Sequence, residues 1–429
     1  MLYVLLDEVR NLWKGRKGGV GMRTRCIVFL FVTMLISAGI GCDEKPASIP
    51  RSAPKIQWMN LYSEDNWTEY RASLIHIDSD GYYVVGQSHF RNTETKFDGK
   101  MWIWKLDLQG NRIWSKDIVL PEMKEGKRIV WDDLLCLKDE RLIIARESLP
   151  NKGTWLIRFN ERGDITFTKK LALGNRSYGP KNIARTEDGL LISGRRSSNN
   201  GDAWVLKIDF GGNELWQKTY DKGKSEAAIS MAVAEDGSFI LAADSGEYNK
   251  FGGGESKVWI VKCDKMGNVL KEKLFPGRHP TIAMTMNGTC AVSYNIADFP
   301  SVKLRLMGLD NQLNEIWRTE TLYEGPGLGM YKVATDSRNN FVVAGSKFGA
   351  LWLWRIDGKG RQLWSTSVDN EESVVMVESL LVNGRKYILA GSASINTTMP
   401  RDENNKLRKD VQWDTTDILI AKVAEIDLD

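Results

Sequence analysis

The chain is poor in the residues that most often carry metal and acid–base chemistry. It has three histidines in 429 residues, His76, His89 and His279, and none has another histidine or a cysteine two to four positions away. A zinc site or a Ser-His-Asp arrangement therefore has no sequence support, and no metal or other cofactor is expected. Of five cysteines, only Cys136, Cys263 and Cys290 follow Cys42, and they fall in separate segments. An odd number of thiols allows at most one disulfide, and their apolar surroundings read better as buried small hydrophobes. The run Gly252-Gly253-Gly254 lacks a following Lys-Ser/Thr, which excludes a phosphate-cradling loop. There is also little net charge. The formal excess is +4, and residues 1–41 hold all of it, leaving 53 basic against 53 acidic residues from Cys42 onward. A neutral chain without a basic run excludes the electrostatic footprint of a nucleic-acid binder.

What is present is apolar and aromatic. Sixteen Trp and 39 Gly stand in a chain that is 42% apolar, enough for a packed core. The one long apolar run, Cys26–Ile40, is short for a membrane-spanning helix, which needs about 20 residues. Arg23 and Arg25 precede it and Gly41-Cys42-Asp43-Glu44 follows, the charged, apolar and small-residue order of an export signal. The segment resembles a bacterial lipoprotein signal, with Gly39 where that pattern has Leu. The resemblance implies lipidation at Cys42 and attachment to the cell envelope. Residues 1–21 carry Asp7 and Glu8 and fit no targeting segment, so Met22 is the expected start and 22–41 the signal. Residues 42–54, with Pro46, Pro50 and Pro54, read as an extended tether.

From Lys55 onward the chain repeats. One line of the pattern is Trp102-Ile-Trp-Lys-Leu-Asp107, seen again as Trp204–Asp209, Trp259–Asp264 and Trp352–Asp357. A weaker copy is Trp155–Asn160, and degenerate copies are Arg305–Asp310 and Leu419–Ala424. A second aromatic follows seven residues after the acidic or amide position, at Trp114, Phe167, Trp216, Trp317 and Trp364, with Gly110, Gly163, Gly212, Gly267 and Gly360 in the intervening turn. Upstream of each copy lies a β-branched run ending in a small residue: Gly86, Ala145, Gly194, Ala243, Ser293, Gly345 and Gly391. Four short strands about every 46–55 residues give one sheet per repeat, which must stack radially to bury both faces. The expected fold is all-β, a seven-bladed β-propeller of four-stranded blades over 55–429. Ile56-Gln57-Trp58 matches the outer-strand line Glu214-Leu-Trp216, and the last repeat lacks such a strand. Residues 55–62 are thus expected to complete the seventh blade and close a monomeric ring.

The lines Trp-x-x-Lys-x-Asp-x-x-Gly-x-x-x-Trp and Asp-Gly-x-x-x-x-x-Gly resemble bacterial β-propeller repeats of secreted proteins and lipoproteins, and the wider quinoprotein-like (PQQ-like) propellers. The resemblance covers 55–429 and implies fold rather than activity, because its motifs are packing and turn residues. Quinoprotein alcohol dehydrogenases of related fold carry a vicinal cysteine pair, which this chain lacks. The barrel-assembly lipoprotein of outer membranes is a distant, eight-bladed analogue.

The positions that vary follow the small residue of each repeat: Gln87, Arg146, Arg195, Asp244, Tyr294, Ser346 and Ser392. With the neighbouring His89 and Arg196 they form a polar, unequal set at predicted strand ends, next to the long segments His89–Lys100, Ser245–Lys257 and Ser394–Thr416. Loops on a rigid scaffold are where binding is placed. Arg146, Arg195 and Arg196 would suit an acidic ligand, such as a carboxylate sugar or an acidic protein loop. The expectation is a non-catalytic binding or scaffold protein outside the cytoplasm, facing an envelope protein or glycan. The competing class is a carbohydrate lyase or hydrolase working in the central channel.

Overall fold

A computed structural model describes residues 52–62, 69–91, 97–120, 131–137, 141–147, 153–171, 173, 178–196, 201–246, 256–298, 301–323, 331–347, 350–368, 373–395 and 416–427. Residues 1–51, with the expected start, signal and Cys42, lie outside them.

Among the described residues every regular element is a strand, and 28 strands form seven four-stranded sheets. Strand β1 spans Ser52–Tyr62. Blade one is β2 (Glu69–Asp78), β3 (Gly81–Arg91), β4 (Phe97–Asp107) and β5 (Arg112–Ile118). Blade two is β6 (Trp131–Leu137), β7 (Leu142–Glu147), β8 (Thr154–Phe159) and β9 (Ile165–Lys170). Blade three is β10 (Tyr178–Thr186), β11 (Gly189–Arg196), β12 (Asp202–Ile208) and β13 (Glu214–Tyr220). Blade four is β14 (Ser225–Val233), β15 (Phe239–Gly246), β16 (Ser256–Cys263) and β17 (Val269–Pro276). Blade five is β18 (Arg278–Met284), β19 (Cys290–Asp298), β20 (Ser301–Leu309) and β21 (Glu315–Tyr323). Blade six is β22 (Lys332–Thr335), β23 (Phe341–Lys347), β24 (Ala350–Ile356) and β25 (Gln362–Val368). Blade seven joins β26 (Ser373–Asn383), β27 (Lys386–Ile395) and β28 (Thr416–Asp427) to β1, in the order β1-β28-β27-β26. The N-terminal strand therefore completes the last blade, with Leu61 opposite Leu419. Pairing starts at Ser52, three residues before the expected boundary at Lys55, because Ser52–Pro54 find partners in Glu425–Asp427.

The first strand of each blade touches the first strands of both neighbours, so β2, β6, β10, β14, β18, β22 and β26 surround the axis. Third strands are sandwiched between blades, and β12 and β24 bury every residue. Outer strands alternate exposed and covered positions. This gradient explains the sequence pattern. A strand covered on both faces reads as continuously apolar, and one covered on a single face alternates. The repeat tryptophans are the filler between blades: Trp102, Trp104 and Trp204 have no exposed surface, and Trp102 stacks on Trp104 at 4.1 Å. Each buried aromatic withdraws about 150–250 Å² from water, on the order of 4–6 kcal/mol at ~25 cal/mol per Å².

In blades three and seven the small residue of the second strand is a glycine crowded by inner-strand backbone. A Cβ at Gly194 would run into the carbonyl oxygen of Gly179, and one at Gly391 into that of Met376. The inner strands are bulged at these points, next to Pro180 and Val377.

The repeat's acidic residue builds its turn as expected. Asp107 Oδ1 accepts the amides of Gln109 and Asn111 at 2.9 and 2.8 Å, and Asn111 Nδ2 donates to Oδ2 at 2.8 Å. Asp209, Asp264 and Asp310 repeat this with Asn213, Asn268 and Asn314. The turn then docks on the preceding blade. Trp58 Nε1 donates to Leu108 O and Trp317 Nε1 to Gly358 O, each at 2.9 Å, and Tyr220 OH donates to Gly267 O at 2.9 Å. In blades one, three and six the motif's basic residue is buried and paired with an acid of its own blade. Lys105 Nζ reaches Asp80 Oδ1 at 2.8 Å, Lys207 reaches Asp188 at 2.5 Å, and Arg355 reaches Asp336.

Candidate functional site

Antiparallel order places two kinds of connection at opposite ends of every blade. First-to-second and third-to-fourth strands are joined by two to five residues, as at 79–80, 108–111 and 357–361. Second-to-third connections, and those leading to the next blade, share the other end and range from Gly277 alone to the twenty residues 396–415. One face is thus a set of near-identical tight turns, and the other is the variable loop face. Strands reach further into it than expected. The ladder β3–β4 continues to Arg91 opposite Phe97, so His89 lies within a strand and the connection shrinks to 92–96.

All the predicted site residues fall at the loop-face ends of second strands. Gln87, in blade one, pairs with Arg71 and Met101 and is buried, and no protein donor reaches its Oε1. His89 lies between Glu69 and Gly99, and Arg146 between Asp133 and Thr154; the side chains of both are outside the described residues. Tyr294 is only 1% exposed and packs beside Phe275, with its hydroxyl near Arg305 Nη1 at 3.4 Å. It is a core residue of the seam between blades four and five, and burial raises its phenol above the ordinary value. The expected row of three arginines is partly committed within the protein. Arg196 Nη2 donates to Asp202 Oδ2 at 2.9 Å, and Arg195 Nη2 to Ser225 Oγ at 3.1 Å.

The densest polar constellation lies on blades three to five and includes residues that no sequence spacing marked. Glu226, at the start of β14, is fully buried opposite Ser245, whose Oγ donates to its Oε1 at 3.1 Å. The Lys224 amide also donates to Oε1 at 3.1 Å, and Oε2 has no donor. Ligand oxygens of Asp202, Asp221 and Glu226 lie within 4.8 Å of one another. Burial raises the Glu226 carboxyl above its ordinary range, and the negative charge of Asp221 adds to the shift. Immediately before Ser245 in β15, Asp244 is 3% exposed and accepts the His279 amide at 2.7 Å, with His279 Nδ1 3.5 Å from its other oxygen. His279 holds a left-handed backbone, φ 55°, and the Asp244 carboxylate is what pins that conformation. Burial pushes Asp244 upward, and His279 and Arg278 pull against it. On the axis, Lys332 of β22 is held below the ordinary ammonium range by burial, while Glu378 of β26 acts in the opposite sense.

Sequence reasoning passed over Asp202, Asp221, Glu226 and the His279 partnership because Asp202 precedes the nearer of its two acids by 19 residues and Asp244 lies 35 residues from His279, on another blade. The one local signal was a lone acid, Glu226, heading the apolar run Ala227–Val233.

No protein-family model matches the chain, and no curated protein matches it. Among solved structures it is similar to a protein of unknown function from Bacteroides caccae, with 14% identity and a TM-score of 0.37 over 70% of this chain and 94% of that one. It is also similar to the WD40 domain of Toxoplasma gondii coronin, with 9% identity, a TM-score of 0.49, and 87% and 88% of the two chains covered. A third is Chaetomium thermophilum Raptor, with 10% identity, a TM-score of 0.47, and 83% of this chain but 29% of that one covered. None of these similarities bears on what the chain binds.

Proposed function

We propose that this propeller is a non-catalytic binding or scaffold lipoprotein of the bacterial cell envelope, anchored through a lipid on Cys42 and recognising an envelope protein or a glycan with its loop face. The carrying observation is the division between the faces. Repeat-defining residues are consumed in turns and blade seams, while chemical variety collects at the loop-face strand ends. A surface that varies from blade to blade on a rigid ring suits recognition. Neither a nucleic acid nor a cofactor enters this reading.

The test is affinity capture from native envelope membranes with the full-length protein, comparing Arg195→Glu on the loop face with Met266→Glu on the turn face. One stoichiometric partner, or one glycan in a sugar screen, should be lost with the first variant and kept with the second. Equal retention by both variants would overturn loop-face recognition. Mass analysis of the Cys42 peptide tests the anchor separately.

A second reading, a carbohydrate lyase or hydrolase, is favoured by one observation: the lowered ammonium of Lys332 and the carboxylate of Glu378 stand on adjoining inner strands. Such a pair could exchange a proton with a substrate in the channel. Turnover of a sugar polymer that is lost in Lys332→Met would favour it.

A further inference from the structure

The three-carboxylate cluster between blades three and four has the makings of an ion site, independent of any partner. It draws on three separate segments: Asp202 at the start of β12, Asp221 in the connection after β13, and Glu226 in β14. Two of the three are buried, Asp202 at 7% exposure and Glu226 at 0%. Surface acids that merely share a neighbourhood do not bury themselves, because a desolvated carboxylate needs a positive charge close by.

Asp202 has such a charge in Arg196. Among the described residues Glu226 has none: its donors are the Ser245 hydroxyl and the backbone amides of Lys222 and Lys224, all neutral, and its Oε2 is buried without a hydrogen bond. The charged neighbour that acts on it is Asp221, of the same sign. The chain thus sets three acids beside the guanidinium of Arg196, with that of Arg195 against Gly201, and leaves a buried Glu226 oxygen without a hydrogen bond. Backbone geometry holds the cluster together. The Glu226 amide donates to Gly201 O at 2.8 Å, tying β14 to the residue before Asp202, and the Gly223 amide donates to Asp221 Oδ1 at 2.6 Å.

We infer that Asp202, Asp221 and Glu226 form a binding site for one hard divalent cation of calcium's size. No two of the ligand oxygens are farther apart than 4.8 Å, so a single ion seated between them lies within about 2.8 Å of all three, and a small side-chain adjustment brings each to a calcium contact of about 2.4 Å. The ligands are oxygens alone, which excludes the soft thiolate and imidazole preferences of zinc and copper. Calcium accepts irregular oxygen shells completed by water, whereas magnesium demands near-octahedral contacts at about 2.1 Å. Such an ion would staple blade three to blade four on the loop face, next to the Asp244–His279 contact.

The experiment is calorimetric titration of the chelator-treated full-length protein with CaCl2, paired with a thermal melt. One site per chain is expected, with a dissociation constant on the order of 10⁻⁴–10⁻³ M as in extracellular calcium modules, and a melting temperature that rises with calcium. Asp221→Asn, an exposed change that leaves the fold intact, should weaken binding tenfold or more, as should Glu226→Gln. Asp236→Asn, an acid of the turn face, should leave it unchanged. No heat and no thermal shift up to about ten times that constant would overturn the site and show that Arg195 and Arg196 already balance the acids. Unaltered affinity in Asp221→Asn would also overturn it, and magnesium binding as tight as calcium would overturn the choice of ion. Neither result touches the capture experiment above, which reads a macromolecular partner.

Discussion

Arg355 of blade six donates through Nη1 to Glu425 Oε1 of blade seven at 2.6 Å, and this contact latches the end of the chain into the ring. Glu425 lies in β28 and collects four donors. Tyr387 OH and Trp364 Nε1 also reach Oε1, and Arg385 Nε reaches Oε2 at 3.4 Å. In other blades the outer aromatic can donate to a carbonyl of the next blade's turn, as Trp317 does to Gly358. In blade seven the third and outer strands, β28 and β1, are not joined by such a turn, and a carboxylate takes the carbonyl's place.

Breaking this latch should open the propeller. Glu425→Ala leaves Arg355, Tyr387 and Trp364 without a shared acceptor and should destabilise the fold by about 3–5 kcal/mol in chemical denaturation. Arg361→Ala, which removes an exposed pair with Asp357, should cost about 0–1 kcal/mol. Deleting residues 52–62 should be more damaging than either, because β28 then becomes a bare edge. A denaturation midpoint unchanged by that deletion would contradict strand-mediated closure.

Blade four lacks the outer aromatic, carrying Lys271 opposite Lys262 where other blades place Trp or Phe. Blade five lacks the turn glycine, and Leu313 takes the left-handed position at φ 57° with its side chain fully buried. Where the glycine is present, as at Gly267 and Gly360, the preceding blade's Trp216 or Trp317 lies against it. The two departures compensate: the leucine fills the space the missing ring leaves. Leu313→Gly should therefore lose about 2–4 kcal/mol, the cavity outweighing the relieved backbone strain. Adding Lys271→Trp to that variant should recover part of the loss, while Lys271→Trp alone should destabilise by crowding. Additive effects in the double-mutant cycle would count against the compensation.

Acid should weaken the blade six to seven seam through Asp336. Burial alone would raise its carboxyl, but hydrogen bonds from Asn340 and from Arg355 outweigh burial and hold it below the ordinary carboxylate value. A depressed folded value contributes stability in full above the unfolded value, about pH 3.9, and loses it as pH falls through the folded value. Stability measured from pH 6 downward should fall in that window, and Asp336→Asn should flatten that part of the curve. An acid limb identical in the variant would assign the loss to other carboxylates.

Cys263 and Cys290 should resist thiol reagents in the native state. Burial pushes their thiols up to about 11 and about 12, and neither side chain is exposed. At pH 8 almost no thiolate forms. Peptide mapping after alkylation should find both residues unmodified until denaturant is added, and rapid native labelling would show that these strands open.

Much of the fold was legible in the repeat because packing between blades demands similar residues at the same place in blade after blade. The tryptophans, the Asp-led turns and the small residue of each second strand answer to local backbone geometry or to one neighbouring strand, and such constraints recur with the repeat. The matching of Ile56-Gln57-Trp58 to an outer strand showed how the ring closes for the same reason. Tyr294, grouped by its alignment position with Gln87 and Arg195, proved to be a core ring, since β18 is irregular opposite it and its side chain turns inward. The buried role of the motif's basic residue, the latch at Glu425 and the grouping of Asp202, Asp221 and Glu226 came only with the tertiary structure. Each depends on the register between strands and on which blades adjoin, and electrostatic contacts across those seams leave no period in the chain. The sequence by itself determined the architecture, through repeated steric requirements; the tertiary structure decided where charge meets charge, because that is set by distances between residues far apart in the chain.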